Sequence, residues 1–171
     1  EAQWDVMNRS SHFIRQIFTS NGYNCLPLRR NTENCQGCGM CCYVCTSGAK
    51  KSMEMSYIPN GIKNGLSLIY NAKVTKIIME SDKIAKGVEV EAVNPINNKP
   101  AGKFYINGGT IIVACGTLLT PSLLKRSGIA KNNKHLGKHL TIHPASKVSF
   151  ELEEDVYSWV GIPQACYSTA L

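Results

Sequence analysis

The sequence has no apolar run of the length a bilayer crossing needs, so a membrane association would have to come through a partner subunit. It does not begin with methionine, and its opening, EAQWDVMNRSSHF, has neither the basic start nor the apolar centre of a secretory signal. The chain reads as a piece of something longer. Zinc-finger, helix-turn-helix and RNP-type patterns are absent, which argues against a nucleic-acid partner. There are no internal repeats and no low-complexity segment. Acidic residues are few, 12 against 19 Lys and Arg, which leaves a net charge of +7. Such an excess favours an anionic ligand or surface. Taken singly, the basic pairs Arg29-Arg30, Lys50-Lys51 and Lys125-Arg126 read as solvated faces, as does the looser group Lys131, Lys134 and Lys138.

What is present is enough for a core: 171 residues, 43% of them hydrophobic, make a globular domain rather than a disulfide-held miniprotein. Cysteine is plentiful but local. Five of the eight fall within CQGCGMCCYVC, Cys35 to Cys45, and Cys25, Cys115 and Cys166 are scattered. Isolated thiols fit a reducing, cytoplasmic setting better than a secreted disulfide framework.

Apolar residues at helical spacing over 4–20 (Val6, Met7, Phe13, Ile14, Ile17, Phe18) predict an amphipathic helix stopped by Asn21-Gly22. Residues 24–56 have no sustained period and read as a long ordered loop, a feature that is usually functional inside a compact domain. Strands are predicted over Leu66–Ala72 and Val74–Met79, then after a Ser81-Asp82 turn through Val88, Val90 and Ala92, and again at KFYING with Phe104 and Ile106 inward. Together these predict a small meander. TIIVACG reads as a buried parallel strand ending at Gly116, and TPSLLKRSG as a helix with Thr120 as N-cap, Pro121 in its first position and Gly128 past its end. A strand running through a glycine turn into a helix N-terminus is a place where an anionic cofactor docks. The tail KHLTIHPASKVSFELEED reads as a loop and then an alternating strand, with Glu151, Glu153, Glu154 and Asp155 as a solvated end.

Cys35, Cys38, Cys41 and Cys45 are spaced C-x2-C-x2-C-x3-C, the spacing of ferredoxin cluster loops. Short gaps let thiolates converge on one cluster, and Gly37 and Gly39 free backbone N–H groups to bond the sulfurs. Thr46 stands where ferredoxins carry proline. Tight repeats suit zinc less well than two separated pairs. The bland alternative is a glycine-shaped loop near a cofactor in which the thiols only pack. His135 and His139, four apart, could share a metal, but Gly137 between them favours a loop; His12 reads as a surface or packing residue, and Cys166 lacks the nearby base of a nucleophile.

The blocks NCQGCGMCCYVCTSGAKKS, GLSLIYNAKVTKI, GVEV, TIIVACGTLLTPSLLKRSGIA and LGKHLTIHP, in this order, resemble the flavin-binding domain of the glucose-methanol-choline (GMC) oxidoreductases, most closely the long-chain alcohol oxidase and choline-dehydrogenase-like branch. The resemblance implies an α/β fold: part of a Rossmann-like FAD/NAD(P)-binding domain with a β-meander, lacking the N-terminal βαβ unit, plus the start of a substrate-domain sheet. The boundaries it implies are 1–143 for the partial FAD domain, with its Cys/Gly loop at 31–56, and 144–171 for the beginning of the substrate domain. It implies an adenine contact at Val74, a turn at Ala114, Cys115 and Gly116 beside the FAD phosphates and ribose, and Thr120 and Pro121 opening the next helix. Ala130 replaces a glycine common there. Ser47, Gly48, Ala49, Lys50 and Ser52 resemble the loop over the flavin and substrate side, and His143-Pro144 the family's site-lining pair.

Absent are the family's N-terminal G-x-G-x-x-G with its acidic partner and its C-terminal catalytic His. The expectation is therefore an internal piece of an FAD-dependent enzyme that oxidises a small-molecule alcohol, inactive without the N- and C-terminal parts and with no catalytic residue of its own. A second expectation keeps the family and adds an iron-sulfur cluster on Cys35, Cys38, Cys41 and Cys45, or with Cys42 in place of one, feeding an electron-acceptor subunit. A third is a ferredoxin-like or zinc module without flavin.

Overall fold

The computed structural model describes residues 4–170. Among them the chain forms two compact units, 4–67 with 148–170, and 68–147.

The first unit begins with a 3-10 turn, Trp4–Val6, and helix α1, Arg9–Ser20. The expected single helix from residue 4 is therefore interrupted, and Asn8 causes the break. Its backbone is extended (φ −70°, ψ 160°) and its Oδ1 accepts from the Ser11 backbone N–H at 3.0 Å and the Ser11 hydroxyl at 2.6 Å. This makes Asn8 the N-cap, and its Nδ2 also donates to the Ser158 carbonyl at 2.8 Å. Asn21 caps the far end, and Gly22 follows at φ +79°. Met7 bridges to Ile162, and these two with Ala165 form a small buried core against which Trp4, Val6 and Cys35 pack. Strand β1, Leu26–Pro27, pairs antiparallel with β5, Cys166–Tyr167.

Helix α2, Tyr57–Lys63, gave no sequence signal because Pro59 and Gly61 lie inside it. Pro59 falls in the first turn, where the missing N–H has no helical partner to lose.

The second unit is built on an antiparallel meander: β2, Ala72–Ser81, β3, Ile84–Val93, and β4, Pro100–Asn107, in the order β2-β3-β4. This agrees with the expected meander, except that Leu66–Tyr70 is exposed and in no strand. Lys73 and Lys103 both pair with Glu91, and Lys76 pairs with Glu89, so opposite charges face each other across the exposed side. Ile77 and Val90 are buried, as is Leu123 of helix α3, Gly116–Arg126, which packs on β2. Ser127 Oγ links the two elements by accepting from the Ile77 backbone N–H at 2.8 Å. Phe104 is half-buried, but Ile106 lies exposed on the edge strand.

Three expectations fail here. Residues 110–114 of TIIVACG belong to no strand, and Ile112 is 87% exposed; a buried parallel strand needs a strand to pair with and cover on both faces, and no described residues supply them. Helix α3 begins at Gly116 with Cys115 as N-cap, so Thr120 is not the cap and Pro121 lies inside the helix. Residues 139–156 form no strand.

Candidate functional site

The cysteine loop is closed at its base by a two-stranded bridge. Thr32 pairs with Lys50, the Glu33 N–H donates to the Ala49 carbonyl at 2.9 Å, and the Lys51 N–H donates to the Asn31 carbonyl at 2.9 Å. The Asn31 side chain donates to the Lys51 carbonyl, and Lys51 pairs with Glu33 at 3.1 Å. Above this stem the chain must turn repeatedly, and it does so through left-handed residues: Asn34, Gly37, Gly39 and Gly48 all have positive φ. Two of these glycines are also forced by close approach. A Cβ on Gly39 would stand 2.3 Å from the Trp159 carbonyl oxygen, and one on Gly37 2.9 Å from that of Val6.

The result is a cavity of about 300 Å³ lined by Cys35, Cys38, Cys41 and Cys45. These are the four thiols singled out by spacing; Cys42 does not line the cavity and is exposed. Ser47, Ala49, Lys50 and Ser52 lie on the same wall. The Lys50 N–H donates to Cys45 Sγ at 3.2 Å, and the Ser47 hydroxyl lies 3.7 Å from it. The Lys50 N–H first, then the Ser47 hydroxyl and the N–H groups of Ala49 and Gly48, hold the Cys45 thiol below its ordinary pKa. Arg30, which the sequence reading left on a solvated face, also lines the cavity, whereas Arg29 is exposed. Nothing in a basic pair reveals which member turns inward.

A single ion held by thiolates needs every sulfur about 2.3 Å from one point, and among the described residues no three His, Cys, Asp or Glu side chains are grouped in that way. A multi-iron cluster spreads its ligands, because each cysteine binds a different iron. The four thiols around this cavity, with backbone N–H groups aimed at the sulfur of Cys45, are the donor set that a group of the second kind would take.

The second unit holds a separate feature. Ala114, Gly116 and Thr120 meet with Val113, Thr117 and Pro121 around an open groove of about 550 Å³ at the start of α3. Gly116 has φ +75°, and a Cβ built there would meet nothing within 4 Å, so the backbone is open to a ligand on that side. Cys115 caps the helix and is exposed. Val74 is half-buried on β2 opposite Val90, next to a bulge at Thr75, whose hydroxyl donates to Glu89 Oε1 at 2.8 Å. Gly48 and Ser52 belong to the cysteine loop of the other unit. His135 and His139 face each other, Nδ1 to Nε2 at 2.9 Å, in an exposed turn, and His143 is exposed in irregular chain.

Comparison with known proteins places the sequence in a family. Over 162 residues, 94% of its length, the chain is 30% identical to an uncharacterized GMC-type oxidoreductase of Mycobacterium tuberculosis, and it covers 24% of that relative. It is also 30% identical over 141 residues to a long-chain-alcohol oxidase of Arabidopsis thaliana, covering 78% of the chain and 18% of the relative. To alcohol oxidase 1 of Komagataella phaffii it is 34% identical over 85 residues, 48% of the chain and 13% of the relative. The chain thus spans about a quarter or less of these relatives. No solved structure gives a significant match. The family model for GMC oxidoreductase matches residues 2–145, and the chain belongs to the GMC oxidoreductase family.

Proposed function

We propose that this chain is part of an FAD-dependent oxidoreductase acting on the CH–OH group of a small-molecule alcohol. The observation that carries the reading is the groove at the start of α3, where Gly116 leaves the backbone open beside Ala114 and Thr120. FAD, when bound, supplies the acceptor for hydride from the carbinol carbon. This chain's part is to hold and orient: Val74 toward the adenine, Ala114, Cys115 and Gly116 along the phosphates and ribose, Thr120 at the helix start, and Gly48 and Ser52 on the flavin and substrate side. None of its residues is assigned to take the hydroxyl proton. With no G-x-G-x-x-G motif in its sequence, the chain by itself is proposed to hold FAD weakly and to be inactive. The test is Gly116→Val in the complete enzyme, which should lower flavin retention because the new side chain fills the approach. Full flavin occupancy in that variant would overturn the assignment.

A second reading is favoured by the cysteine cavity. We infer that Cys35, Cys38, Cys41 and Cys45 hold an iron-sulfur cluster, which would serve to pass electrons on to an acceptor subunit. Iron and acid-labile sulfide, measured on protein purified without oxygen, should be stoichiometric and should vanish when Cys35 and Cys38 are both changed to Ser. Absence of both from the unaltered protein, with eight titratable thiols, would leave the loop as packing around a flavin site.

A further inference from the structure

Arg30 is the one residue among those described whose buried side-chain polar atoms are left without a partner. Its Nε and Nη2 are both shielded from solvent and bonded to nothing. Only Nη1 has a contact, with Cys35 Sγ at 3.9 Å. A guanidinium cannot shed its charge to escape this position, and its five donors are fixed in a rigid fork. Buried donors of this kind are retained where something accepts from them.

The other cations around the cavity are already engaged. Lys51 is paired with Glu33, and Lys50 Nζ points to the Cys41 carbonyl at 3.5 Å. Among the described residues no acidic side chain lines the cavity, and none of them neutralises Arg30 there. The cavity that Arg30 shares with four cysteines thus combines sulfur ligands with a fixed, unsatisfied cation. A cluster held by four thiolates is anionic, and hydrogen bonds to its sulfurs and nearby charge set its reduction potential.

We propose that Arg30 is a positioning residue for the cluster, donating from Nε and Nη2 to its sulfurs and raising its reduction potential. The proposal rests on the cluster reading above. Because Arg30 carries charge and shape together, Arg30→Gln removes both, and Arg30→Lys keeps the charge but loses the planar fork.

The experiment uses the whole 171-residue chain, loaded without oxygen with ferrous iron and sulfide. Iron and sulfide are counted, the reduction potential is measured by a redox titration followed by electron paramagnetic resonance, and iron loss to a chelator is timed. Arg30→Gln should take up the cluster, shift its potential to more negative values and release iron roughly 10–100-fold faster. Arg30→Lys should lie between it and the unaltered protein; because it keeps the positive charge, it also serves if the Gln variant folds poorly. A cluster of unchanged potential and unchanged release rate in both variants would overturn the proposal for Arg30 alone. Failure of the unaltered chain to take up any cluster would overturn the cluster reading and this proposal together.

Discussion

The backbone N–H of Lys50 donates to the sulfur of Cys45 over 3.2 Å, across the narrow end of the cysteine loop. That bond favours the thiolate, and thiolates are what alkylating reagents attack.

Cys45 should therefore react with iodoacetamide at neutral pH well before Cys166, whose thiol is pushed up to about 11 by burial first and by the neighbouring Cys25 thiol second. Time-resolved peptide mapping reads the order directly. Equal labelling rates at the two positions would refute it.

The same raised thiol gives a pH dependence. Unfolded Cys166 loses its proton near the ordinary value of 9.0, while the folded protein keeps it to about 11. The unfolded state thus binds fewer protons over that interval, and stability falls as pH rises through it. The contribution is fully present below pH 9.0 and lost toward pH 11. Cys166→Ala should flatten this alkaline limb in urea melts taken across the interval, and an unchanged slope would count against it.

Gly39 and Gly48 make a matched pair. Both have positive φ, but only at Gly39 would a Cβ collide with backbone, the Trp159 carbonyl. Gly48→Ala should cost about 1–2 kcal/mol, the left-handed penalty alone. Gly39→Ala should cost more than that and disturb the cysteine loop, measured by denaturant unfolding and by titration of accessible thiols. Equal costs would show that the contact with Trp159 relaxes freely.

Ala130 presents the opposite case, a residue with a Cβ at φ +54°. Ala130→Gly should stabilise by about 0.5–1 kcal/mol, the relief of the left-handed strain less the extra chain entropy of glycine. A lowered melting temperature in that variant would contradict the backbone assignment.

Asn8→Ala should destabilise by about 1–2 kcal/mol, since it removes the helix cap together with the bond to the Ser158 carbonyl. Circular dichroism melts test it, and a neutral result would mean that water replaces both interactions.

The sequence was most legible where the structural cause is local. The alternation Val88, Glu89, Val90, Glu91 identifies β3 because period-two burial is a property of one strand and its neighbours. The spacing of Cys35, Cys38, Cys41 and Cys45 picks out the four thiols that share the cavity, while Cys42, which the sequence left as a substitute for one of them, is set apart only by the fold. Legibility failed where the cause is distant. Asn8 breaks the first helix partly through Ser158, 150 residues away. Gly39 looked like a source of loop freedom, and its close contact with Trp159 could not be read from CQGCG. Arg30 could not be told from Arg29, because a single basic pair does not say which side chain lies over a cavity. Pro121 suggested a helix start, yet α3 begins five residues earlier at Gly116, whose left-handed backbone makes the turn instead.

The unpaired stretch from Thr110 to Ala114 bears on handling the protein. It carries no charge and no proline, two of its five residues are isoleucine, and it pairs with no strand among the described residues. This is the composition of segments that stack into cross-β fibrils when nothing covers them. Solutions of the isolated chain should accordingly lose protein to fibrillar aggregates with time and concentration, and a charged residue in place of the exposed Ile112 is the change most suited to keeping it dispersed.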